Sequence, residues 1–215
     1  LFFQSWMKYR WHLRIAEEED EGCLERLSCL LGLGLEEFRH AVPRSRRLLR
    51  YIGLFTQFPR SALSLRALLS DALDLPHVDV VPCILQMMRI PDEQRCLLGV
   101  QGTTQGDDCY LGQEIEDRMG KFRISAGPLG EDKFHSLLPP TPQFREVGDL
   151  VHVFLIDPLE YEMELVLKRE EAQTMVLGGE KWSGLGYDTW IFSGPRLETE
   201  ARVTFQLVRE IGAHA

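Results

Sequence analysis

The chain has 215 residues, 44% hydrophobic and 27% charged, with a formal net charge of −9. That is enough for one large domain or two small ones with a real core, and no run of 18 uninterrupted apolar residues marks a membrane span. Residues 1–60 hold 10 Lys/Arg against 8 Asp/Glu, while residues 61–215 hold 14 against 25; an acidic chain without a basic stripe is a poor match for nucleic-acid phosphates.

The N-terminus, "LFFQSWMKYRWH", opens inside an aromatic run and lacks a start Met, a secretion n-region and a cleavage site. The natural protein is therefore expected to begin earlier. Phe2, Trp6, Tyr9 and Leu13 fall on one helical stripe, and Phe3, Met7 and Trp11 widen it beyond one face. Such a helix has to be sandwiched, in a core or between chains. After the acidic turn Glu17 to Gly22, "CLERLSCLLGLG" predicts a short helix stopped by Gly32 and Gly34. The one basic cluster, Arg44, Arg46, Arg47 and Arg50, reads as a solvated helix start or a protein contact. Leu48, Ile52 and Phe55 share a helical face, Pro59 ends the run, and Ser61 is positioned to cap a helix carrying Leu65, Leu68, Leu69 and Leu73.

The character then changes. "HVDVVPCI" predicts a short strand with Pro82 at an edge or bulge, and Gln86 to Gly112 reads as irregular. Lys121 to Gly127 alternates as a strand, Gly127-Pro128-Leu129 reads as a turn that shapes the fold, and Phe134 to Leu138 reads as a helical turn. Phe144, Val147, Val151 and Phe154 mark a further helix. Tyr161 to Leu167 alternates like a half-buried strand, and "EEAQTMVLGGEKWSGLG" is a second irregular segment. Strands are expected near Asp188–Phe192 and Arg202–Val208. The fold class is α+β, with a helical region at 1–75 followed by a mixed strand/helix region at 76–215. Two long loop excursions, near 85–112 and 170–187, exceed the usual length of connecting loops and are the places to expect a partner.

Chemistry is sparse. The five cysteines (Cys23, Cys29, Cys83, Cys96, Cys109) form no C-x-x-C pair and read as reduced thiols acting mostly as small hydrophobes. Six histidines are scattered, with no metal motif. Gly179 and Gly184 have Walker spacing, but Leu185 stands where the Lys must be, and Ser183 has Lys181 rather than Gly two residues before it. That loop reads as flexible, with Trp182 an exposed anchor. Glu162 and Glu164 read as a solvated strand face. No cofactor, metal or catalytic residue is indicated. The alternative reading is a soluble enzyme or ligand-binding domain with its site near the Gly-rich loop 178–186 and acids such as Asp188.

The order of segments resembles the TssG (ImpH/VasB) family of type VI secretion baseplate proteins. "LFFQSWMKYR" is similar to its Trp-x-Lys-Tyr-Arg helix, and "LLRYIGLFTQFPRSALSLRALLSDAL" to its Tyr-x-Gly-Leu, Pro-Arg-Ser and leucine-rich run. "KFRISAGPLGEDKF", "LLPP", "LVLKREE" and "LGYDTWI" resemble later blocks in the same order. "DALDLPHV" and Leu185 to Trp190 depart from the family's wording, and its region ahead of the aromatic helix is missing.

The resemblance implies a non-enzymatic scaffold on the cytoplasmic side of the inner membrane, without direct membrane insertion. Its implied partners are two TssF copies, TssK trimers and TssE in the same wedge. The aromatic helix (Phe2, Trp6, Tyr9, Trp11) suits a multi-chain bundle. Met87, Met88 and Ile90 on one excursion, and Met175, Val176 and Trp182 on the other, are the candidate docking tips, since Met and aromatic side chains favour interface centres.

Overall fold

The computed structural model describes residues 21–34, 45–97, 99–104, 106–107, 109–175, 178–179, 181–193, 197 and 199–207. The chain divides into two units, Leu1–Asp74 with Pro142–Leu155, and Leu75–Thr141 with Ile156–Ala215.

The first unit is helical. Helix α1 (Glu21–Leu30) ends as its glycines predict: Gly32 takes φ +82°, its N–H donates to Cys29 O, and Leu33 N–H reaches back to Ser28 O. This six-to-one and five-to-two pair is the Schellman closure, which only a residue tolerant of positive φ completes without strain. Leu48 and Phe55 are buried as expected, but their segment is broken into α2 (Ser45–Leu48), a 3-10 turn (Leu49–Tyr51) and α3 (Ile52–Phe55).

Ser61 caps α4 (Ala62–Ala72), its Oγ accepting from Ser64 N–H at 3.2 Å, and Leu65, Leu68 and Leu69 are buried along the helix. Helix α6 (Pro142–Phe154) belongs to this unit although it comes from the second half of the chain. It buries Phe144, Val147, Leu150, Val151 and Phe154 on one face.

Arg60 ties these helices together. Its Nη1 donates to the Val153 and Phe154 carbonyls at the end of α6, and its guanidinium lies 5.3 and 5.4 Å from the Phe55 and Phe154 ring centres. A cation at a helix C-terminus meets the negative end of the helix dipole, and the two rings add cation–π attraction. The "PRS" tripeptide therefore does two jobs: Arg60 closes α6 and Ser61 opens α4.

The second unit is built on a four-stranded sheet in the order β1-β4-β5-β6, comprising β1 (Val78–Val81), β4 (Lys121–Leu129), β5 (Glu160–Leu167) and β6 (Ala201–Gln206). β4 and β5 run parallel, the other pairs antiparallel. One face is apolar by register: Ile124 opposes Met163, Ala126 opposes Leu165, and these continue to Phe205 and Val203. The free edge at β1 is guarded, because Asp79 Oδ1 accepts from Val80 N–H and Pro82 follows the strand.

Three expectations are corrected here. Gly127-Pro128 is not a turn: it lies inside β4, where the register slips between Ala126 and Leu129 as a bulge. Gly127 has φ +147°, and a Cβ there would stand 2.6 Å from Val166 Cβ and against the Val166 carbonyl, so close strand approach demands glycine.

The Tyr161–Leu167 strand is not half-buried. Val166 is covered, and Glu162 is only 6% exposed. Lys121 Nζ and Arg123 Nε each lie 2.6 Å from a Glu162 oxygen, while Glu164 meets Arg123 at 3.3 Å and Ser125 Oγ at 2.8 Å. Burial pushes the Glu162 carboxyl up, but hydrogen bonds and charges from Lys121 and Arg123 outweigh it and hold the group below the usual carboxylate range. Alternation showed which face the acids occupy, but not that cations from β4 would cover them. Finally, Asp188–Phe192 forms no strand. Trp190 makes only an isolated bridge to Thr174, and the residues before it form a turn.

Candidate docking surfaces

The first excursion leaves the sheet after β1 and returns into β4. The sequence made it irregular, but it is built on a two-stranded antiparallel ribbon of β2 (Gln86–Arg89) and β3 (Glu114–Asp117). Neither "QMMR" nor "EIED" shows a β-branched or alternating run, so periodicity could not find them. At the ribbon's base, Ile84 N–H donates to Lys121 O, and Asp117 accepts from the Met119 and Gly120 N–H groups at 3.0 Å each. These contacts and a Gln86 hydrogen bond hold the Asp117 carboxyl below its usual range.

Beyond the ribbon, a 3-10 turn (Asp92–Gln94) leads to a bridge between Arg95 and Tyr110 and a small turn in which Leu97 and Gln101 exchange hydrogen bonds. Met87 is 58% exposed, and Leu85, Met88, Leu97, Val100, Tyr110, Leu111, Ile115 and Met119 are also exposed. Ile90, expected at a tip, is 4% exposed instead. Its N–H donates to Gln113 O and its carbonyl accepts from Arg95 Nε at 3.0 Å, which roots it inside the excursion.

The second excursion differs. Trp182, expected as an exposed anchor and docking tip, is 3% exposed. Its ring stacks on Phe134 from α5 (Glu131–Ser136) at 6.3 Å and meets His135 edge-on at 4.6 Å. Beside it the buried Asp188 binds the loop to itself: Oδ2 accepts from Trp182 N–H at 2.8 Å and Oδ1 from Gly184 N–H at 2.7 Å. His135 Nε2 lies 3.2 Å from Oδ2, and its Nδ1 is 2.9 Å from the Glu131 carbonyl. Lys181 adds ion pairs to Glu131 and Asp132, which raise its own pKa and lower that of Asp132.

The Gly-rich loop is therefore stapled, and Asp188 is the staple. Ser183 Oγ is turned to the Gly179 carbonyl, so no nucleophile–base pair forms there. What the loop does present is Leu185, 85% exposed, with Ile191 at 88% and Tyr187 also outward. Sequence reasoning missed Leu185 and Ile191; Gly184-Leu185-Gly186 was the available signal, an apolar residue between two turn-forming glycines.

Met175 is half-buried, its N–H donating to Trp190 O. Val176 and the aromatic helix residues Phe2, Trp6, Tyr9 and Trp11 lie outside the described residues. Among the described residues, no helix is long and apolar enough to cross a membrane, no group of three or more His, Cys, Asp or Glu could hold a metal, and Cys29, Cys83, Cys96 and Cys109 form no disulfide.

These features define an α+β protein whose sheet unit carries exposed apolar side chains on two excursions, while its buried carboxylates are engaged in holding strands and loops. The chain belongs to the type VI secretion TssG family, whose model matches residues 1–191. Its fold is similar to that of a chain in a cryo-electron microscopy structure of the type VI secretion system TssK-TssF-TssG baseplate subcomplex. That match has a TM-score of 0.73 and 17% identity, covering 97% of this chain and 89% of the other. A chain from a structure of the type VI secretion baseplate complex is also similar, with a TM-score of 0.59 and 15% identity over 100% of this chain and 61% of that one. No match was found among curated proteins.

Proposed function

We propose that this chain is a non-enzymatic structural adaptor of the type VI secretion baseplate wedge. It works at the cytoplasmic side of the inner membrane, joins two TssF copies and docks TssK trimers, with TssE in the same wedge. Family membership and the likeness to baseplate chains support the assignment. The observation that carries the docking role is the gathering of exposed apolar side chains on two excursions of one unit. Isolated exposed leucines are ordinary on a soluble surface, but patches of this kind mark interaction sites.

In this reading the region 1–75 supplies the TssF contacts through Phe2, Trp6, Tyr9 and Trp11, and the region 76–215 supplies the TssK contacts. Met87 and Met88 act on the first excursion. Leu185 and Ile191 act on the second, together with the sequence candidates Met175 and Val176. Ile90 and Trp182 hold the excursions in shape from within. The test is co-purification with TssF and TssK from the same cells, followed by mass measurement of the assembly. A defined complex that loses TssK on Met87→Asp with Met88→Asp supports the adaptor. A monodisperse chain that ignores both partners sinks it.

A further inference from the structure

Inside the stapled turn, His135 has an acceptor at each ring nitrogen. Nδ1 lies 2.9 Å from the Glu131 carbonyl, and Nε2 lies 3.2 Å from Asp188 Oδ2. A neutral imidazole carries one N–H and one lone pair, so it satisfies only one of these two contacts. The other would set a lone pair against an acceptor oxygen. Flipping the ring would put carbons at both places, which fixes its orientation. The contacts are complete only when ring and carboxylate together hold one more proton than neutral histidine and ionised aspartate do.

The surrounding charges point the same way. The His135 and Asp188 side chains are 14% and 6% exposed, and a carboxylate that deep requires a counter-charge as well as hydrogen bonds. Asp188 already accepts the Trp182 and Gly184 amides. Among the described residues no Lys or Arg forms an ion pair with it, so His135 is its one source of positive charge. Lys181 is committed to Glu131 and Asp132, and Glu171 Oε2 accepts the Glu131 N–H at 2.7 Å. His135 and Lys133 stand in the last turn of α5, where the helix dipole also favours a positive ring.

We propose that the His135–Asp188 pair is a proton-operated latch: the closed turn binds a proton there, and losing it as pH rises releases the turn that presents Leu185. Asp188 Oδ2 transmits the change. It meets both the ring Nε2 and the Trp182 N–H, so when the Nε2 lone pair is bared against it, ring and carboxylate move apart and the Trp182 amide loses its acceptor. A proton bound by the closed turn and not by the open one favours closure at low pH. That advantage is lost as pH rises beyond the range of a free imidazole, about 6.5. Lys181 does not mask the response, because its two carboxylate partners raise its pKa and keep it charged throughout. The device does not depend on which partner the turn meets.

The test follows hydrogen exchange of the full chain over residues 181–188 at pH about 6 and about 9, with rates corrected for the intrinsic effect of pH. Protection of the Trp182 and Gly184 amides should fall at least about tenfold across that interval. His135→Gln keeps a donor for Asp188 but cannot titrate, so its protection should change less than about threefold. Ring-nitrogen NMR of the native chain gives an independent reading. His135 should keep both protons at pH about 7, where a free ring has largely lost one, and should retain only the Nδ1 proton at pH about 9. Native protection that does not change with pH, or that falls equally in the Gln variant, overturns the latch. Should His135→Gln fail to fold, the native ring decides alone: a single proton at pH about 7 overturns the proposal, and two protons with a turn that opens at higher pH sustain it.

Discussion

The two excursions expose similar side chains on opposite kinds of support. The ribbon is held by main-chain pairing, by Ile90 tucked at its far end and by Asp117 at its base. The Gly-rich turn is held by side chains: Trp182 packed on Phe134, Asp188 accepting two loop amides, and Lys181 paired with α5. A surface mounted on main-chain pairing with few buried anchors opens readily, and ordering it on docking costs free energy. A stapled turn is organised beforehand. Similar apolar tips can thus be presented by a compliant arm and by a rigid one, and exposure alone does not distinguish them.

The largest difference should come from Trp182. Trp182→Ala empties a buried aromatic site and should cost about 3–5 kcal/mol in urea unfolding of the sheet unit, whereas Met87→Ala on the ribbon should stay within about 0.5 kcal/mol. Equal losses at the two positions would show that the supports do not differ. Next in size is Asp188→Ala, which leaves the Trp182 and Gly184 amides without their acceptor. A loss of about 2 kcal/mol is expected, with hydrogen exchange at those two amides accelerating before any other site in the unit. Protection that survives the substitution would mean the aromatic stack alone holds the turn.

Leu185→Asp is the complementary change. It sits at an exposed tip outside the staple, so stability should move by less than about 0.5 kcal/mol while capture of TssK weakens. If Leu185→Asp unfolds the loop, the tip and its support cannot be separated.

Much of this could be read from the residues, but unevenly. The Ser61 cap, the Gly32 stop and the α6 stripe were legible because each is a local device whose chemistry lies within a few positions. What escaped depended on distant partners. Glu162 looked solvated until Lys121 and Arg123 arrived from a parallel strand 39 to 41 positions away in sequence. Trp182 looked like an exposed anchor because Phe134 and His135, which bury it, precede it by nearly 50 residues. The ribbon escaped for the opposite reason: both its faces meet water, so no hydrophobic period is written into it.

The smallest effect concerns the hinge of the ribbon. Backbone donors at Met119 and Gly120 and the Gln86 amide hold the Asp117 carboxyl below its ordinary range. A group whose folded pKa is depressed contributes stability above its unfolded value, about 3.9, and that contribution is lost as pH falls through the folded value. The turn at 118–120 should therefore stay closed at neutral pH and loosen only in acid. The amide shifts of Met119 and Gly120 should titrate together with a midpoint below about 3.9, and Asp117→Asn should abolish the transition. Because Asp117 is near the surface, the stability change will be small and salt-sensitive, so the shifts are the better readout. A midpoint at or above the ordinary carboxylate value would mean that the base of the ribbon is open in solution, leaving the compliant arm without the fixed root that sets it apart from an unstructured loop.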